Sequence, residues 1–325
     1  MKIGVIGSGL SGTTSAILLK EMGHDVEIFE SRNHVGGNCF DSDVSGVKVH
    51  QYGAHIFHTN DDDVWNFLNR YTTFNDYEHK VRANTRLGRI SIPYNKTTTN
   101  QIGRELSPDE ITELIFKEYS ERHWGTSWEK LPKSITNRVP NKRDDFDTRY
   151  FTDKYQGIPS EGYTNMFNAM LNGIRVHHGV PKDEYKRLNF DFLVYTGKPD
   201  DFFDLCFGKL PYRSLRFEHF KSERKNEFSF LDGAVINECN KLKFNRTVDN
   251  SVFLNQNLDS TILTRDYPQE HDESNEPIYP KNYGESLMIF ERYKKLMQNE
   301  KNVLFLGRLA TYKYLDMWMA VKQAM

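Results

Sequence analysis

The sequence predicts an α/β protein: an open parallel sheet wound with helices, interrupted by inserted helical and β-sheet elements. Three observations carry this. Lys2 to Ile6 is a short apolar run, the pattern of a buried parallel strand, and it leads straight into Gly7-Ser8-Gly9-Leu10-Ser11-Gly12. A helical run with Ala16, Leu18, Leu19 and Met22 follows, Gly23 closes it, and Val26 to Phe29 forms a second strand that finishes at Glu30. At the other end, Val303 to Leu306 reads as a buried strand and the residues from Asp316 as a helix. Both ends are therefore expected in one doubly wound, Rossmann-like domain, with the rest of the chain inserted between them.

The glycines sit in the context that gives them a task. Gly7 permits the tight turn, Gly9 lets backbone approach a pyrophosphate, and Gly12 allows helix to pack closely on strand. The helix start offers Ser8 and its neighbours' free N–H groups to an anion. Glu30, 18 positions after Gly12, stands where a carboxylate binds ribose hydroxyls. Ser31, Arg32 and the pair Gly36-Gly37 with Asn38 follow and resemble the extended fingerprint of FAD-binding proteins of the glutathione-reductase type. An acid at position 30 favours FAD over NADP, whose extra phosphate it would repel.

Composition narrows the classes. The chain has 325 residues, 38% hydrophobic and 27% charged, and a net charge of −2, so neither nucleic acid nor an anionic membrane is favoured as a partner. No apolar stretch is long enough to span a bilayer, and the chain enters its first strand at once, so neither membrane insertion nor a signal peptide is expected. Cys39, Cys206 and Cys239 have no metal-like spacing; an odd, sparse count fits a cytoplasmic protein without disulfides.

Along the chain, Tyr52 to Thr59 reads as strand or turn with two histidines, and Asn60 to Asp63 caps a helix carrying Val64, Trp65, Phe67 and Leu68. Lys80 to Ile92 reads as a β-ribbon turning near Leu87-Gly88. Ser107-Pro108-Asp109-Glu110 starts a helix running through Tyr119. Residues 136–149 are polar and basic and are expected as a mobile surface loop. Strands are expected over 190–196 and 227–237, and a helix over Glu285 to Met297. The expected division is 1–75 with 285–325 as the FAD-binding domain, 96–140 as a short helical domain, and 76–95 with 141–284 as a sheet and substrate domain.

At this point a run of segments resembles UDP-galactopyranose mutases of the bacterial type. They are FESRNHVGGN (29–38), YGAHIFHT (52–59), IPYN (92–95), EYSERHWG (118–125), RYFTDKYQGIPSEGYT (149–164), YRSLRFE (212–218), AVIN (234–237), EPIYP (276–280) and GRLATYKYLDM (307–317), in the family's order along nearly the whole chain. The resemblance implies a flavoenzyme isomerase that interconverts UDP-galactopyranose and UDP-galactofuranose for cell-surface polysaccharide synthesis. Reduced FAD would act through N5 as nucleophile on the anomeric carbon, UDP would leave and return, and no net redox change would result. Between Asn95 and Tyr119 the chain is shorter than bacterial members, where helices of that region supply dimer contacts, so a monomer or a differently arranged dimer is expected.

The resemblance also implies roles. Arg143 and Arg246 would meet the diphosphate; counting forward from Pro140 instead puts Lys142 in the slot of Arg143. His55 and His58 would line the flavin face near the sugar; they are three apart with no third ligand nearby, so no metal site is expected. Tyr119, Trp124, Tyr155, Tyr279, Tyr314 and Asn95 would bind substrate, and Arg308, Asp316 and Met317 would join Gly7, Ser8, Gly9, Gly12, Glu30, Ser31, Arg32, Gly37 and Asn38 at the cofactor. Two rivals share the opening motif: a flavin amine oxidase or desaturase, and a non-catalytic nucleotide-sugar binding protein.

Overall fold

The computed structural model describes residues 1–137, 142–181, 183–223 and 233–325. A five-stranded parallel sheet forms the first layer, in the order Val303–Phe305, Phe192–Tyr195, Lys2–Ile6, Asp25–Phe29, Arg175–His177. Its central strand is buried because Ile3 and Val5 are apolar and helices cover the sheet. The opening helix, Leu10–Glu21, packs against the closing helix, Met317–Ala324, and Ser11 Oγ donates to Ala320 O at 3.1 Å. The two ends of the chain therefore meet, as the sequence predicts.

The parallel sheet draws on more of the chain than the expected division allows. Strands Arg175–His177 and Phe192–Tyr195 pair with Asp25–Phe29 and Lys2–Ile6, although 141–284 was assigned to the sheet and substrate domain. The reason is physical: a parallel strand buried on both faces needs neighbours on both edges. Phe192, Val194 and Tyr195 supply the apolar edge beside Lys2–Ile6.

The second layer is a seven-stranded sheet. Its order is Tyr279–Pro280, Tyr212–Glu223, Ser260–Glu270, Arg246–Asp249, Val235–Glu238, Val81–Thr85, Gly88–Ile92. All pairings are antiparallel except Val235–Glu238 on Val81–Thr85. The ribbon at Lys80–Ile92 thus forms as expected, whereas the first part of the strand expected over 227–237 lies outside the described residues. Short helices bank against this sheet: Lys96–Ile102, and Pro108–Ile111 continuing through a π-helical turn into Lys117–Trp124; Lys133–Thr136 follows them in the chain. Ser107 and Glu110 close a reciprocal cap at the start of the long one, satisfying N–H groups that would otherwise be unpaired.

Residues 143–149, expected as a mobile loop, are tied down. Arg143 N–H donates to Tyr94 O at 2.8 Å, Lys96 N–H to Asp145 O at 2.9 Å, and Thr97 Oγ1 to Phe146 O at 3.1 Å. Residues 138–141 of that loop lie outside the described residues.

Candidate active site

The glycine turn opens on a cleft of about 260 Å³ along the carboxyl ends of the parallel strands, where an open α/β sheet binds its ligand. Gly7, Gly9, Gly12, Glu30, Ser31, Arg32, Gly37 and Asn38 all line it, joined by Arg308, Asp316 and Met317 from the far end of the chain. Gly12 carries no side chain for a steric reason: a Cβ there would lie 2.0 Å from Gly7 O. At Gly9 the nearest atom to a Cβ is Gly37 Cα at 3.9 Å, so two backbones approach and leave a cradle bare of side chains.

Ser8 is placed differently from the expectation. It is buried behind the turn and does not line the cleft; its N–H and Oγ donate to Glu30 Oε2 at 2.8 and 2.6 Å. Arg32 N–H holds Glu30 Oε1 at 2.9 Å. The carboxylate is thus aimed from both sides, and Ser8 orients it. Arg32 stacks over Tyr52 at 4.3 Å and donates to Asn38 Oδ1 at 3.0 Å, while its Nη1 is buried with no partner among the described residues. A buried guanidinium N–H without an acceptor fits an anionic cofactor oxygen.

A second cleft, about 310 Å³, continues from the first. His55, Ile278, Arg308, Asp316 and Met317 line both. Its walls are aromatic and cationic: Tyr119, Trp124, Tyr279, Tyr314 and Arg246 all face it. The rings of Tyr279 and Tyr314 stack at 5.5 Å with an interplanar angle of 1°, and the Arg308 guanidinium lies 5.3 and 5.1 Å from them. Burial raises the phenol of Tyr279, with Tyr314 adding to it, and burial raises that of Tyr119, so both stay protonated donors.

Arg246 opens its strand and faces the cleft. Its Nε lies 2.5 Å from Asp266 Oδ2 across the ladder. Burial is the largest influence and opposes its charge, but Asp266, together with Tyr119 and Tyr279, holds its pKa well above the ordinary value. His55 Nδ1 bonds Gly53 O at 2.9 Å, and burial pushes its pKa down to about 3, so the ring is neutral at physiological pH.

Three expected residues are not brought in. Arg143 does not line the cleft: its guanidinium donates to Arg149 O at 2.7 Å and Tyr150 O at 2.9 Å. Lys142 pairs with Glu105 at the surface, so neither counting of the loop delivers a cation. Tyr155 stacks on Trp65 at 4.7 Å and donates to Asp62 Oδ1 at 2.8 Å, because its strand pairs with Phe57–Thr59 and turns it outward. Asn95 is the buried cap of helix Lys96–Ile102, accepting from Thr98 N–H at 3.1 Å and donating to Asp147 O at 2.6 Å. In their place the cleft gains His79, Tyr150, Phe151, Trp128 and Asn237. Tyr150 and Asn237 lie inside segments that carry the resemblance; His79 carries no sequence signal.

The fold and these joined clefts are those of a protein of the dinucleotide-cofactor class. The comparisons with known proteins narrow this. The UDP-galactopyranose mutase model matches residues 114–314, and that of the NAD(P)-binding Rossmann-like domain matches residues 5–71. The chain is 33% identical to dTDP-fucopyranose mutase of Escherichia coli, covering 99% of this chain and 96% of that one. It is 31% identical to a probable UDP-galactopyranose mutase of Klebsiella pneumoniae, covering 99% and 92%. Crystalline reduced UDP-galactopyranose mutase superposes with a TM-score of 0.78 at 13% identity, covering 99% and 93%. The chain belongs to the UDP-galactopyranose mutase family and is an isomerase. Among the described residues no helix is long and apolar enough to cross a membrane.

Proposed function

We propose that the protein binds FAD in the first cleft and interconverts the pyranose and furanose forms of a nucleoside-diphosphate hexose, UDP-galactose first, in the second. The confluence of the two clefts at His55, Arg308, Asp316 and Met317 carries this reading, because it sets a sugar against the reactive end of the cofactor. Reduced FAD supplies a nucleophilic N5 for the anomeric carbon. Glu30 would bind the adenosine ribose, and the backbone at Gly9 and Gly37 with Arg32 the pyrophosphate. The start of helix Met317–Ala324 would favour negative charge on the reduced ring.

Arg246 and Arg308 are the cations that meet the substrate diphosphate, with Tyr279 and Tyr314 as phenolic donors. Their charge stabilises UDP as it departs. Tyr119 and Trp124 supply the flat apolar walls for base and sugar. Arg143 acts at one remove, holding the carbonyl of Tyr150. The enzyme works in the cytoplasm as a monomer or a dimer that does not use the 96–118 segment as larger relatives do.

The test is to incubate purified protein with UDP-galactofuranose, with and without dithionite, and separate the products by chromatography. UDP-galactopyranose is expected only under reduction. A parallel arm with dTDP-fucofuranose decides the nucleotide and sugar, since relatives of both kinds match at similar identity. Oxygen consumption without UDP dependence would favour the oxidase reading. UDP binding indifferent to flavin redox state, without turnover, would favour a binding protein.

A further inference from the structure

His58 lines the second cleft and is paired with a carboxylate that does not line it. His58 Nδ1 lies 2.8 Å from Asp153 Oδ2, and Asp153 Oδ1 accepts from Asn60 Nδ2 at 2.7 Å. The His58 ring is stacked on Phe151, centroids 3.6 Å apart, so its plane is fixed as well. The side chains are 14% and 22% exposed. A carboxylate only accepts, so Nδ1 carries a proton and Nε2 is left for the cleft, with no partner among the described residues. His79, Tyr150, Arg246 and Asp316 line the same cleft as His58. His79 is neutral, burial having pushed it down to about 3, and Arg246 is held by Asp266. Asp153 is the charged group bonded to His58.

Ring contraction needs a proton carried between two oxygens. The C1–O5 bond breaks and O5 gains a proton; the O4 hydroxyl loses its proton as the C1–O4 bond forms. One proton moves and no electrons are left over. We propose that Asp153 is a positioning residue for this transfer: it fixes His58 with Nδ1–H turned away from the sugar, so that His58, entering the step as the imidazolium, gives its Nε2 proton to O5, becomes neutral, and regains a proton from O4 as the C1–O4 bond forms. This rests on the functional reading above. The spacing suits it, because a group that serves both oxygens in turn must keep one orientation through both steps.

The experiment compares reduced holoenzyme of the wild type with Asp153→Asn, Asp153→Glu, His58→Gln and the Asp153→Asn/His58→Gln double variant. Asp153→Asn is expected to lower kcat about thirtyfold or more with KM within about threefold, the scale of losing an aligned acid–base group. Asp153→Glu should restore part of kcat. The double variant should be no slower than His58→Gln, because Asp153 acts only through His58. In the flavin-free chain, ¹⁵N spectra should show His58 protonated at Nδ1 in the wild type and a tautomer mixture in Asp153→Asn. An Asp153→Asn enzyme with normal kcat would overturn the inference. So would an equal loss from Asp153→Asn in both backgrounds, or an unchanged tautomer. A wild type that converts no furanose sinks the functional reading and the proton-transfer role with it.

Discussion

Arg246 offers the sharpest test of how the second cleft is built, because the proposed function asks its charge to serve the substrate as well as Asp266. Asp266 is 2% exposed, its Oδ2 lies 2.5 Å from Arg246 Nε, and its Oδ1 has no partner among the described residues. Arg246→Ala therefore leaves a buried carboxylate without its cation, which costs about 3 kcal/mol or more. At about 2–4 °C per kcal/mol, Tm should fall by roughly 6–12 °C. The same change removes a cation from the departing diphosphate and should lower kcat/KM by about a hundredfold, ~2.7 kcal/mol. Arg246→Ala/Asp266→Asn separates the two effects. Neutralising the acid should recover most of the lost Tm while kcat/KM stays down. Thermal unfolding and initial rates on the same preparations measure both. A double variant that regained activity with stability would show that Arg246 serves only the fold, and the diphosphate assignment would be refuted.

Three other outcomes are expected. Gly12→Ala drives a Cβ to 2.0 Å from Gly7 O, so the glycine turn must open; the variant should purify without the yellow, acid-extractable flavin of the wild type, as an absorbance spectrum would show. His50 and His79 are buried, each pushed down to about 3, so the unfolded chain binds more protons between pH 3 and 6.5. Their contribution is complete above about pH 6.5 and is lost as pH falls, by up to ~1.4 kcal/mol per pH unit for each; His50→Gln should flatten the fall in urea midpoint between pH 6.5 and 5, and an unchanged slope would contradict the burial argument. Arg143→Ala should lower kcat/KM by about tenfold through Tyr150 and Lys142→Ala by less than twofold, whereas a Lys142→Ala loss larger than that of Arg143→Ala would mean the loop rearranges to bring Lys142 to the phosphate.

The cofactor half of the molecule was legible because its signal is local. Strand, glycine turn, helix, strand and acid lie within Lys2 to Glu30, and each residue type is dictated by backbone geometry or packing. The helix start at Ser107-Pro108 was legible for the same reason. The strands Arg175–His177 and Phe192–Tyr195 were harder. They are three and four residues long, and their partners Asp25–Phe29 and Lys2–Ile6 lie about 150 and 190 residues away. The substrate half turned on pairings that no single segment reveals. Tyr155 was placed by motif, yet the pairing of Thr59 with Tyr155 sends its ring onto Trp65. Asn95 has the right neighbours for a ligand contact, but the helix that follows it needs a cap and takes its side chain. His79 enters the cleft because it precedes the ribbon and bonds Gln156 from a distant strand; nothing in its neighbourhood marks it.

The most direct measurement of the central claim is positional isotope exchange in the nucleotide sugar. UDP-galactopyranose carrying ¹⁸O in the bridge between C1 and the β-phosphorus is incubated with the reduced protein, recovered and examined by ³¹P spectroscopy. If UDP leaves the anomeric carbon and returns within the cleft, the label must spread into the non-bridging β-phosphate oxygens at a rate comparable to turnover, and only with reduced flavin. Conversion of the sugar with the label still in the bridge would contradict displacement of UDP and, with it, the roles given to Arg246 and Arg308.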